Sequence, residues 1–75
     1  MKMIEIPDNI LLNVAHISVV MFNEIKEPIT GRLIEYHIVI IVHGIDEPFK
    51  AIFNLSAEYE AEQYFAYIIR CIENL

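Results

Sequence analysis

The hydrophobic positions of this chain change their period near residue 55. Before it, Ile, Val, Phe and Tyr fall in alternating or short continuous runs, the composition and spacing of β-strands. Turn-forming clusters separate the runs at Pro7-Asp8-Asn9, from Glu27-Pro28 to Gly31, and from Gly44 to Pro48. Their residues fix φ or tolerate positive φ. This punctuation predicts strands over residues 1–6, 14–26, 33–43 and 49–55. Residues 10–13 read either as a turn of helix or as the start of the second strand. After Asn54 the period becomes helical: Ala61, Phe65, Ile68, Ile72 and Leu75 recur at spacings of 4, 3, 4 and 3. Ser56 reads as the N-cap, and Glu58, Glu60 and Glu62 follow where the helix dipole favours acids. No Gly or Pro interrupts this segment, so one helix of about eighteen residues is expected. The resulting fold class is α+β: an antiparallel meander of three to four strands with the C-terminal helix packed on one face.

Strand parity then assigns faces. Ile17, Val19, Met21 and Ile25 share one side, with Ile34, Tyr36, Ile38, Ile40 and Val42 and with Phe49, Ala51, Phe53 and Leu55; that side is expected to receive the helix. The opposite side should be polar if water covered it. Instead it carries Val20, Phe22, Leu33, Val39, Ile41 and Ile52. A hairpin register with Val20 opposite Ile41, Phe22 opposite Val39, Glu24 opposite His37 and Lys26 opposite Glu35 joins apolar and charge-matched pairs. In the next hairpin Val39 would face Ile52, and His37 would face Asn54. The expected interface is therefore Val20, Phe22, Val39, Ile41 and Ile52, rimmed by His16, His37, His43, Glu24, Glu35 and Lys50.

Length and charge narrow the setting. The chain has 75 residues and a mass of 8.8 kDa, enough for one domain over residues 1–75. The hydrophobic share of 56% and mean hydropathy of +0.44 exclude disorder. Runs such as residues 38–42 fall far short of the roughly 18–20 apolar residues of a membrane span. Lys2 and Glu5 interrupt the first residues, so no secretory signal is expected. Five Lys+Arg against eleven Asp+Glu give a net charge of −6. The bases are scattered singly, which argues against direct nucleic-acid binding. The single Cys71 cannot form an internal disulfide, and a reducing, cytoplasmic setting is expected. A domain this small often relies on oligomerisation.

Candidate chemistry adds little. His37 and His43 are six apart on one predicted strand, separated by about 20 Å, and cannot share a metal ion within one subunit. Ser18 opposite His43, with Glu35 on the same face, lacks the pocket and oxyanion hole that acyl transfer needs. Glu58, Glu60 and Glu62 diverge by about 200° per step around a helix. Cys71 reads as a buried, inert thiol. No cofactor, metal or catalytic activity is expected. Tyr59, Tyr67 and Arg70 lie off the apolar stripe and form a candidate second interface, because Tyr and Arg dominate binding energetics at protein surfaces.

The layout of a leading strand, the Asn-Val-Ala-His-Ile segment at 13–17 and the Ser-Ala-Glu helix start at 56–58 resembles that of many small phage and bacterial proteins. Its size and acidity resemble those of phage- or plasmid-borne inhibitors of host defence. That resemblance implies an alternative function: occlusion of a nucleic-acid-binding or host-defence protein, by charge mimicry if the carboxylates cluster. Glu58, Glu62, Asp46 and Glu47 are the candidates for one acidic end. The leading expectation is a non-catalytic protein-interaction module, homodimeric through the second face of its sheet.

Overall fold

A computed structural model describes residues 2–6 and 9–75. Pro7 and Asp8, two members of the first expected turn, lie outside the described residues. The elements run β1 (Met3–Ile6), β2 (Ile10–Asn13), β3 (Ile17–Lys26), β4 (Leu33–Val42), β5 (Phe49–Asn54) and α1 (Glu58–Glu73). The fold is α+β. A three-stranded antiparallel sheet, ordered β3-β4-β5, and a two-stranded antiparallel sheet of β1 and β2 share one core with the C-terminal helix.

The ambiguous residues 10–13 are neither a helical turn nor the start of the long strand. They form β2, which pairs with β1 from Met3↔Asn13 to Ile6↔Ile10. Asn13 ends this hairpin, its side chain accepting a hydrogen bond from the Ala15 N–H at 3.0 Å and opening a 3-10 turn over Val14–His16. That turn breaks the expected strand and delays β3 to Ile17. Ile4, Ile6, Leu12 and Val14 are buried in the same cluster as Ile38, Ile40, Ala61, Ile68 and Cys71. The hairpin is thus part of the core and not a loose leader.

The helix begins later than expected. Leu55–Ala57 form a 3-10 turn, and the Ser56 hydroxyl bonds the Asn54 side chain at 2.6 Å instead of capping α1. Ala57 occupies the N-cap without a side-chain bond. The apolar stripe is in the expected phase, with Ala61, Ile68 and Cys71 buried and Phe65 and Ile72 packed against them; Leu75, its last member, is exposed. The Tyr64 ring packs 6.0 Å from that of Phe53, yet its hydroxyl is buried with no hydrogen-bond partner among the described residues. Burial, and the neighbouring Tyr67, hold the phenol above its ordinary pKa. An unsatisfied buried donor costs about 1–3 kcal/mol. Tyr64→Phe should therefore raise stability by about 1 kcal/mol, and a urea melt with an unchanged or lower midpoint would refute that accounting.

The β3–β4 register carries the main correction. The turn is built by Glu27: its carboxylate accepts hydrogen bonds from the Thr30 hydroxyl and the Ile29 N–H, and its carbonyl accepts one from the Gly31 N–H at 2.8 Å. The Thr30 bond holds the Glu27 carboxyl below its usual range. Gly31 sits at φ +72°, in the left-handed region where other residues are strained. This turn pairs Lys26 with Leu33, and the register then shifts, so that Phe22 faces Ile38 and Val20 faces Ile40. The pairing is one residue away from the expected one, and a one-residue slip turns every side chain of a strand to the other face.

Candidate interaction surface

The slip rebuilds the uncovered face of the sheet. Val20, Phe22 and Leu33, expected there, lie on the helix side and pack against the core, and Ile34, expected beneath the helix, is exposed because the register shifts at the start of β4. Phe22 packs against Tyr36 with tilted rings (centroids 5.6 Å apart) and meets Phe65 of α1 edge-on at 5.7 Å. Val19, Met21 and Ile25, expected beneath the helix, take their places opposite Ile41, Val39 and Glu35. On β5, Lys50 faces Val39 and Ile52 faces His37, so Val39, Ile41, Ile52 and His37 stand on this face as expected, although the partners across β4 and β5 are shifted. Its members are thus Val19, Met21, Asn23 and Ile25, then Glu35, His37, Val39 and Ile41, then Lys50, Ile52 and Asn54.

No helix crosses this side among the described residues, because α1 contacts all three strands from the other. Val19 is 43% exposed, Met21 36% and Ile52 62%. Val39 is buried although it stands outside the core cluster, enclosed by its neighbours on the uncovered face. Six of the eleven positions are apolar, where a solvated sheet face would be polar.

The histidines do not act together. His37 Nε2 lies 2.8 Å from Glu35 Oε1, two residues away on the same strand. The expected partner Glu24 is instead opposite Tyr36 on the helix side. His16 is in the 3-10 turn, and its carbonyl accepts the His43 N–H at 2.8 Å, tying that turn to the end of β4. Among the described residues no three His, Cys, Asp or Glu side chains are grouped to hold a metal ion. No cavity opens among them either.

Carboxylates gather at one place that parity alone did not show. Burial first, and then the negative charges of Glu58, Glu24 and Glu62, raise the pKa of the Tyr36 phenol. Asp46 and Glu47 lie in the loop after Val42, at the far end of β4 from Tyr36, so the four acids expected together are split between two ends. On α1, Tyr59 and Arg70 are exposed. Tyr67, 42% exposed, touches the Cys71 thiol one turn away, and that contact chiefly raises its phenol pKa.

The register could have been found from Phe22 itself. The largest side chain of β3 gains most from the closed side of the sheet, and a turn capped by Glu27 and Gly31 closes nearer to the strands than the longer loop that the expected register needs.

Comparison with protein-family models, with curated proteins and with solved structures returned no match. No described helix is long and apolar enough to cross a membrane.

Proposed function

We propose that this protein is a non-catalytic interaction module that self-associates, as a homodimer, through the uncovered face of its three-stranded sheet. The observation that carries the reading is the distribution of charge. Lys50 and Glu35 cancel on that face, which leaves four bases and ten acids elsewhere and puts the whole net charge of −6 on the rest of the chain. An acidic chain meets its own copy with least repulsion through a surface spared that charge. A twofold axis would apply the same patch from both sides. The single buried Cys71 fits a reducing compartment such as the cytoplasm.

Ile52 is the most exposed apolar residue of the face and lies on the short strand β5. Ile52→Glu should leave the fold intact and weaken face-to-face association by about a hundredfold or more, since it would bury an unpaired carboxylate. Tyr67→Ala should leave association unchanged. Sedimentation across micromolar concentrations reads both, and an Ile52→Glu profile identical to the wild type would overturn the reading.

One observation favours a second reading, an acidic inhibitor that occupies a nucleic-acid-binding or host-defence protein. The negative charges of Glu58, Glu24 and Glu62 all act on the Tyr36 phenol and raise its pKa, after burial. Charge mimicry of this kind predicts competition with DNA for a basic target, fading steeply with salt; association through the apolar face does not.

A further inference from the structure

The two edges of the three-stranded sheet are protected differently. β5 has six residues, with Lys50 within it and Pro48 just before it. Charged residues, proline and shortness are the usual devices that keep an edge from pairing with another chain. β3 has ten residues, no proline, and no charged residue before Glu24. Its register shifts lie near its ends, between Ile17 and Val19 and between Ile25 and Lys26. Residues 19–25 therefore form a regular stretch whose outer edge pairs with no strand among the described residues.

We infer that the free edge of β3 pairs antiparallel with β3 of a second copy, making one six-stranded sheet. The inference rests on the proposed self-association through the uncovered face and states how that face reaches sufficient size. Three strands spaced by about 4.8 Å, the longest about 33 Å, present roughly 450 Å² in projection. A standard interface buries about 800 Å² per partner. A twofold axis perpendicular to the sheet places both helices on one side and joins the two apolar faces, which doubles the surface. A strand from an unrelated protein would fill the edge without extending the patch; a second copy does both. Antiparallel alignment also suits the charges, since it turns the Glu24 and Lys26 end of each strand toward the uncharged half of the other. With two isologous surfaces on each copy, the edge contact joins the face-paired homodimers to one another, so that assembly at high concentration goes beyond the dimer.

Amide hydrogen exchange by NMR, paired with sedimentation, tests this. Alternate N–H groups of an edge strand point away from its neighbour. Raising the concentration should slow exchange of that alternating set in residues 19–25 by about tenfold or more, while the outward N–H groups of β5 stay fast. Wild type should sediment beyond a dimer. Ile52→Glu, which lies across β4 from the edge, should stop at a dimer that retains the slowed β3 amides. If the wild type assembles while those amides exchange at a concentration-independent rate, the edge pairing is overturned and the face reading stands. If Ile52→Glu sediments as the wild type does and the β3 amides are slowed, the face reading falls and edge pairing remains. A wild type that stays monomeric at every concentration overturns both.

Discussion

Ile68→Ala is expected to destabilise the protein by about 2–5 kcal/mol. Ile68 is 0% exposed, in the C-terminal half of α1, in the cluster that joins the helix to Ile38 and Ile40 of β4 and to Ile4 of the hairpin. Its truncation removes buried methyl groups and leaves a space that three elements would have to move to fill. A 16-residue helix has marginal stability alone, so α1 depends on this face. At roughly 0.05–0.15 kcal/mol per residue, a chain of this size holds about 4–11 kcal/mol in total. The substitution could thus remove half of it. Arg70→Ala, two residues along on the exposed side, should change stability by no more than about 0.5 kcal/mol. Equal urea midpoints for the two variants would mean that the helix phase is wrong.

The helix was the legible part because its signal is redundant. Five apolar positions agree on one phase, and an error at either end, such as the cap moving from Ser56 to Ala57, does not rotate the rest. Strand composition was equally clear, and β4 from Glu35 onward and β5 face as parity assigns them, whereas the register shift at the start of β4 turns Leu33 to the core and leaves Ile34 exposed. Two things depended on geometry that the residues do not state locally. Residues 10–13 become a strand only because β1 is there to pair with them and Asn13 caps the turn that follows. The face of β3 depends on one turn: the closure by Glu27, Thr30 and Gly31 and the register shift beyond Lys26 select one of two parities. Because both parities of β3 are apolar, with Val20 and Phe22 on one side and Val19, Met21 and Ile25 on the other, the alternation of hydrophobic positions could not choose between them, and only the size of Phe22 and the geometry of the turn could. The same ambiguity that hid the register makes the uncovered face apolar. Either parity leaves hydrophobic side chains on the side without a helix, so the existence of a patch was readable while part of its membership was not.

Neighbouring residues on β3 should consequently behave in opposite ways. Phe22→Ala is expected to cost about 3 kcal/mol or more, for Phe22 sits between Tyr36 and Phe65 and links the central strand to the helix. Aromatic pairs of this geometry add about 0.5–1.5 kcal/mol each beyond their buried area. Phe22→Glu should leave the chain largely unfolded, because the carboxylate would enter an aromatic cluster whose Tyr36 already feels the negative charges of Glu58 and Glu24. Met21→Glu, one position earlier, points the same charge to the uncovered face, where Met21 is 36% exposed. That variant should keep its helical circular dichroism and a urea midpoint close to the wild type, while its self-association weakens. With the opposite parity the two results would exchange: Met21→Glu would unfold the chain, and Phe22→Glu would yield a folded monomer. Circular dichroism and sedimentation of the two purified variants decide between these registers, and a folded Phe22→Glu beside an unfolded Met21→Glu would overturn the β3–β4 pairing and, with it, the surface assigned to assembly.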